Sequence, residues 1–399
     1  MRSAGIAALA ALVILAPGVT RAQDANPMEA RVADLLENRC ARAGCHAGPV
    51  PQQGLDLTRA NYYAALVGEP STERPELMRV APGEPGVSYM MMKLRDTPGI
   101  IGVKMPLLGD PLTDEEMQLL VDCVNSIETI DEERKALATR TQAFPFDGWK
   151  IINLPTTRPI DGRSFLFGIQ HRFNPSVRTG YDSFYGLDGS GVILLSLGYA
   201  INDDFLVVLG RSNSAQNVEL YGRWLAARQD LQGSWPLDVG VNATVNWVTE
   251  QPLDDSSRLR KEAFKFTAQV TLAHEFAERF GAAVVPGILF NPSEDVEGED
   301  PLVTIGLGGR WRFRHNMSLV GEWVPITSGY IRTFTNGNDI RFDSWGAAYE
   351  ISTGGHVFQI VVSNTVGLTA DQYLRGGDLD IREGDMRLGF NIHRVLNFF

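Results

Sequence analysis

From Gly162 to the C-terminus the chain alternates apolar and polar residues with a period of two, in runs of about ten residues. Val239, Val241, Ala243, Val245 and Trp247 interleave with Asp238, Gly240, Asn242, Thr244 and Asn246. Phe264, Phe266, Ala268, Val270 and Leu272 interleave with Lys265, Thr267, Gln269 and Thr271. Val303, Ile305, Leu307, Trp311 and Phe313 do so with Thr304, Gly306, Gly308, Arg310 and Arg312. A strand shows one residue in two to each face, so each run has one apolar face and one polar face. Ten residues is also the length that crosses a bilayer as a tilted strand. In water the apolar face would need a second layer to cover it; in lipid it needs nothing more. The pattern therefore predicts an antiparallel transmembrane β-barrel over residues 162–399.

About twelve strands are expected, starting near residues 163, 191, 204, 217, 237, 263, 281, 302, 317, 342, 356 and 386. Short connections such as Ile201–Asp204 and Arg314–Met317 alternate with long polar ones such as Asn174–Ser190 and Asn364–Asp385. That is the outer-membrane arrangement, with periplasmic turns and extracellular loops. The terminal Asn397-Phe398-Phe399 suits the last strand of such a barrel. Parity sends Gln170, Arg172, Glu219, Arg223, Lys265, Gln269, Arg310, Arg312, Glu322, Glu350, Gln359 and Arg387 to the lumen, where opposite charges pair across a narrow interior. His171, His274 and His356 fall on the outward parity. No Ser/His/Asp order or carboxylate pair stands out as catalytic, so no enzyme is expected.

The first part of the chain is different. All three cysteines, Cys40, Cys45 and Cys123, precede residue 124, whereas every Phe and Trp follows residue 143. Arg2, the apolar run Ala4–Ala16 and the small residues before a cut after Ala22 read as a signal peptide over residues 1–22. The formal charge of -12 disfavours nucleic acid as a partner. Residues 23–130 form a separate module, and the helix tail and prolines of 131–161 read as a linker.

Within that module, Cys40-Ala-Arg-Ala-Gly-Cys45-His46 has the order of a haem c attachment segment, two thiols for thioethers and an adjacent His for iron, with four residues between the cysteines instead of two. Met105, in the loop Gly102-Val-Lys-Met105-Pro106, supplies a soft thioether for the second axial position. Thr113 and Glu116 then form a capping box that opens a helix through Val124. A disulfide between Cys40 and Cys45, or Cys40 and Cys123, is the competing reading, and either leaves one odd thiol. The Met105-Pro106 loop has no special place in that alternative. Met90-Met91-Met92 reads as core, and zinc ligands at finger spacing are too few.

Gly54-Leu55-Asp56-Leu57, Tyr63–Val67, Arg79-Val-Ala-Pro-Gly83, Ser88-Tyr89 and Lys104-Met105-Pro106, with Cys45-His46-Ala-Gly, run in order over about 90 residues. The module resembles the small all-α cytochrome c-like domains of exported bacterial proteins. The resemblance implies one covalent haem c on Cys40 and Cys45, with His46 and Met105 as axial ligands of the iron. Gly168–Phe173, Gly186–Gly189, Thr353–Gln359 and Gly389–Arg394 likewise resemble an uncharacterised family of exported β-barrel domains, which implies a fold but no activity.

The expectation is an outer-membrane barrel carrying a periplasmic mono-haem c domain that exchanges electrons with periplasmic redox carriers or senses redox state. Outer-membrane lipid surrounds it. The alternative is an outer-membrane pore or transport protein whose first module is a haem-free docking domain. A membrane-embedded hydrolase comes third.

Overall fold

The structure, a computed structural model, describes residues 26–396 except 43, 49, 108, 137–142, 232–234, 252–256, 293–299, 330–341 and 354. The expected signal peptide and the terminal Asn397-Phe398-Phe399 lie outside the described residues.

The second half is a single antiparallel sheet closed on itself. Its long strands are β1 (Phe165–Phe173), β2 (Gly191–Ala200), β3 (Phe205–Ser212), β4 (Asn217–Ala227), β5 (Asp238–Val248), β6 (Phe264–Phe276), β7 (Phe280–Phe290), β8 (Leu302–Arg314) and β9 (Met317–Val324). After Pro325 the three residues of β10 (Ile326–Ser328) continue the line of β9 and pair with β8. The ring continues through β11 (Ser344–Thr353), β12 (His356–Ser363) and β13 (Arg387–Leu396). β1 pairs with β13 from Phe165 opposite Leu396 to Arg172 opposite Gly389, and β9 pairs with both β8 and β11. Counting β9 and β10 as one broken strand, twelve strands close the barrel.

Every expected strand start falls within two residues of the observed one. The alternation of loop lengths holds less well. The β3–β4 connection on the loop end is only Asn213–Gln216, and β4 and β5 are joined on the turn end by residues 228–237. Among the described residues no helix is long and apolar enough to cross a membrane. The crossing is made by the strands.

Along β2, Ile193, Leu195, Leu197 and Tyr199 are exposed on the outer wall, and Leu194, Ser196 and Ala200 are buried inside. The same parity holds on β3, where Phe205, Val207 and Leu209 point out. Aromatic rings gather near the strand ends. Phe165 lies 5.1 Å from Tyr199, Phe205 stacks on Trp224 at 6.0 Å, and Trp247 stacks on Phe264 at 5.9 Å. Such belts sit where hydrocarbon meets headgroups, because an aromatic side chain tolerates both.

Before the barrel, α1 (Pro27–Arg39), α2 (Tyr62–Leu66), α3 (Tyr89–Arg95), α4 (Asp114–Ser126) and α5 (Glu132–Ala136) form a small helical module. Its core is Val32, Leu36, Leu57, Leu66, Val80, Met91, Leu120 and Val124. Of the three consecutive methionines, Met91 is buried and Met90 packs against it from the edge. The capping box opens α4 as expected. The Glu116 N–H donates to Thr113 Oγ1 at 3.2 Å, and the Thr113 N–H donates to Glu116 Oε2 at 2.8 Å.

The segment expected as a linker is where the structure departs most from the sequence reading. Residues 143–157 are continuously buried. They enter the lumen from the turn end and return to begin β1, so the barrel carries a plug made of its own chain.

Candidate functional site: the plugged lumen and the cysteine–histidine loop

The plug is gripped through its backbone. Glu322, buried on β9, accepts from three consecutive plug N–H groups, those of Ile152 (3.1 Å), Asn153 (3.0 Å) and Leu154 (2.9 Å). Three donors on one buried carboxylate satisfy its charge without a cation in direct contact. Amide side chains from three further strands hold the carbonyls. Gln170 donates to Ile152 O at 2.9 Å, Gln359 to Ile151 O at 2.6 Å and Asn391 to Ile152 O at 3.2 Å. Arg172 reaches the Asn153 side-chain oxygen at 3.3 Å, and Arg223 reaches Thr156 O at 3.2 Å. Nearer the turn end Arg310 donates to Phe144 O at 2.7 Å and pairs with Asp147 at 3.2 Å.

The wall is shaped for the plug's side chains. A Cβ added at Gly308 would fall 2.1 Å from Ile151 Cδ1, one at Gly306 2.7 Å from Leu154 Cδ2, and one at Gly346 3.1 Å from Ile152 Cδ1. These glycines occur in strands, where glycine is otherwise unfavourable, and here they mark the close approach of a second chain segment.

The loop end is closed as well. The expected extracellular loop after β12 folds inward and forms the short helix α6 (Ala370–Tyr373). The Ala370 N–H donates to Glu219 at 2.8 Å, Tyr373 Oη donates to Gln269 at 3.2 Å, and Asn217 donates to Asp371 at 3.0 Å. Phe146, Ile151, Ile152 and Leu154 of the plug share one hydrophobic cluster with Ala370, Tyr373 and Leu374 of the loop. The two closures thus meet inside the barrel.

Eleven of the twelve side chains expected in the lumen are fully buried there, from Gln170 to Arg387; Arg312, at the rim, is partly exposed and pairs with Asp147. They pair less with each other across the ring than the sequence suggests, because much of their hydrogen-bonding capacity goes to the plug and the inward loop. Lys150, a plug residue, sits 3.8 Å from Glu219 and donates to Gln170 at 3.2 Å. His171, His274 and His356 are partly exposed on the outer wall, as parity predicts. His171 stacks on Phe390 at 5.0 Å. His393, on the inward parity of β13, is buried beside Trp149 with neither ring nitrogen partnered among the described residues.

In the helical module Cys40 caps α1, its N–H donating to Leu36 O at 2.9 Å. A turn in which the Cys45 N–H donates to Arg42 O at 2.9 Å then leads to His46, whose carbonyl accepts from the Leu57 N–H at 2.8 Å. None of the three cysteines is in a disulfide. Burial pushes the Cys40 thiol up to about 11, with Arg39 opposing and Cys45 adding to the shift. Cys123 is also raised by burial. Burial lowers His46 below the usual imidazole range, so it is neutral at pH 7, and its buried Nδ1 has no partner among the described residues. Met105 is half-buried, and its N–H donates to Lys93 O at 3.0 Å. Lys93 in turn pairs with Glu73 at 2.9 Å, and both bear electrostatically on His46. Among the described residues no cluster of three or more His, Cys, Asp or Glu is placed to hold a bare metal ion.

The loop that follows Cys40 lodges against the turn end of the barrel. Gly44 lies against Gly355 of the β11–β12 turn, and Gly48 against the Arg158 guanidinium. A cavity of about 40 Å³ separates Gly44, Ala47 and Val50 from Trp149 and His393.

Residues 146–396 match a family described as membrane bound beta barrel domain (DUF5777). The chain belongs to that family. Its matched region begins inside the plug, so the plug travels with the barrel, and the helical module lies outside the match. As an outer-membrane β-barrel protein the chain is similar in fold to solved barrels. One is an outer membrane channel from Pseudomonas putida F1 (14% identity, TM-score 0.37, 63% of this chain and 100% of that one). Another is the NanC porin (7%, 0.35, 58% and 98%), and a third is outer membrane phospholipase A from Escherichia coli (13%, 0.29, 60% and 94%). No curated protein matches the chain.

Proposed function

We propose that the barrel is a closed outer-membrane anchor for a periplasmic mono-haem c domain that exchanges electrons with soluble periplasmic carriers. What supports this reading is the pairing of a filled lumen with the cysteine–histidine loop at its turn end. The plug and inward loop leave the barrel's interior occupied, which weighs against a resting pore. The loop presents two thiols outside any disulfide and an adjacent His46 held neutral by burial, the donor types that haem c attachment requires. Cys40 and Cys45 would hold the group covalently, and His46 and Met105 would bind its iron. When bound, haem supplies a one-electron couple. The chain contributes a neutral imidazole, a soft thioether, and the apolar core of Leu57, Leu66, Val80 and Met91 to keep water out.

Mass spectrometry of the mature chain from cells competent in haem c assembly should show one haem adduct that survives denaturation. An unmodified mass would remove the electron-transfer reading and favour the docking-domain alternative.

Met105→Ala should abolish the near-infrared sulfur–iron band and lower the reduction potential, because a thioether stabilises ferrous iron. If both Met105→Ala and His46→Ala leave the spectrum unchanged, the axial assignment is wrong.

A further inference from the structure

An open cleft of about 820 Å³ lies between the helical module and the turn end of the barrel. The chain carries a formal charge of -12, yet seven arginines line this cleft against five carboxylates. Three of the seven are committed: Arg59 to Asp34, Arg228 to Asp204 at 2.7 Å and Arg312 to Asp147. Arg158 is buried and drawn to Asp147 and Asp161; the other three, Arg42, Arg279 and Arg314, have no ion-pair partner among the described residues. Several of the facing carboxylates are occupied locally. Asp56 accepts from the Thr58 N–H at 3.0 Å, Asp203 from the Gly162 N–H at 2.7 Å, and Glu37 from the Arg59 N–H. Guanidinium groups without an ion pair are thus left over in the cleft of an acidic protein.

The free arginines come from both sides of the cleft. Arg279 and Arg314 project from neighbouring turns of the barrel rim, linked by the Arg312 N–H donating to Arg279 O at 2.7 Å. Arg42 comes from the helical module and spends one donor on Asn38 O at 2.9 Å. Arg158 lies over the Phe144 ring at 4.9 Å. Guanidinium forks suit the paired oxygens of a phosphate better than any other common anion except a carboxylate.

A second observation points to the height at which the cleft opens. Phe313, which lines it, lies 5.9 Å from Trp311 and 6.0 Å from Tyr349. Those rings belong to the aromatic belt at the turn end, the level of lipid headgroups.

We propose that this cleft is a binding site for a phosphate ester, held by Arg279 and Arg314 of the barrel rim with Arg42 of the helical module opposite. The phosphate can come from an anionic phospholipid of the adjoining leaflet or from a soluble phosphorylated molecule. The site stands independently of haem, since none of its residues is a proposed ligand.

The test uses the full-length protein in two arms. In the first, the protein is released from nanodiscs of equal phosphatidylglycerol and phosphatidylcholine, and the retained lipids are counted by native mass spectrometry. In the second, inorganic phosphate is titrated calorimetrically in neutral detergent. Phosphatidylglycerol enrichment that falls by at least about tenfold in Arg279→Ser/Arg314→Ser, the ratio that loss of even one of the two charge-assisted contacts carries, establishes a lipid source. No lipid preference, with phosphate binding that the same variant loses, establishes a soluble source. Arg228→Ser, in the same cleft but already paired, should leave either signal unchanged. Absence of both signals in the parent protein overturns the proposal, as does a double variant that binds like the parent.

Discussion

Glu322→Ala should release the plug while leaving the barrel folded. The carboxylate accepts three consecutive N–H groups in a space that water does not reach, so its removal orphans all three at once. Each buried donor left without a partner costs about 1–3 kcal/mol. Because the three act as a unit the sum is less than additive, and about 4 kcal/mol is the expected total, or roughly a thousandfold in the released population. Hydrogen exchange reads this directly. The amides of Ile152, Asn153 and Leu154 should lose about three orders of magnitude of protection, by the same conversion. Strand amides of β2 and β3, remote from Glu322 in the ring, should keep theirs. Glu322→Gln retains one acceptor oxygen and should fall between the two. Unchanged plug protection in Glu322→Ala would mean that the apolar contacts of Ile151 and Leu154 hold the segment without the carboxylate. Conductance should stay low in this variant, since α6 and its flanks still fill the loop end.

The plug was the part of the molecule least legible in the sequence, and the reason is physical. A period-two pattern reports a wall with two different solvents, and here the two sides are lipid and a polar interior. It says nothing about what fills that interior. The strand positions, the outward histidines and the inward Glu322, Gln359 and Lys265 all follow from parity alone, which is why they were recoverable. Residues 143–161 have no periodicity, and Pro145, Pro155 and Pro159 suggest an exposed connection.

Two signals pointed the other way. Between Asp147 and Arg158 the only charge is Lys150, and Trp149, Ile151, Ile152 and Leu154 are costly to leave in water in a linker. The wall strand β8 carries Gly306, Gly308 and Gly309, an unusual weakness unless something packs against it. The inward loop hid for a related reason. Asn364–Asp385 is polar on average, and the apolar Val366, Leu368 and Leu374 were outweighed by the charged second half. In the helical module the capping box and the core methionine were visible because both are local. How Cys40, Cys45, His46 and Met105 stand to one another depends on the fold between them, and spacing alone does not supply that.

The filled lumen sets the largest limit on the proposed electron transfer. The barrel region contains no cysteine, so it has no thiol to carry a second covalent haem, and the one proposed group belongs to the module at the turn end. Across the membrane lie the plug, the inward loop and strands of about ten residues, which span a hydrocarbon thickness of about 30 Å. With no second centre on that path, the isolated protein should not pass electrons from one side to the other. It should instead exchange them only with carriers on the side of the helical module. Reconstitution into liposomes, with a membrane-impermeant reductant outside and an electron acceptor enclosed, tests this in either orientation. The enclosed acceptor should stay oxidised over the time in which reductant reaches every outward-facing haem, and adding a soluble carrier on the module's side should change only the rate at that side. Acceptor reduction by protein that has been shown to be leak-free would mean that the interior carries charge by a route that neither the plug nor the loop interrupts, and the barrel would then be a conduit and not an anchor.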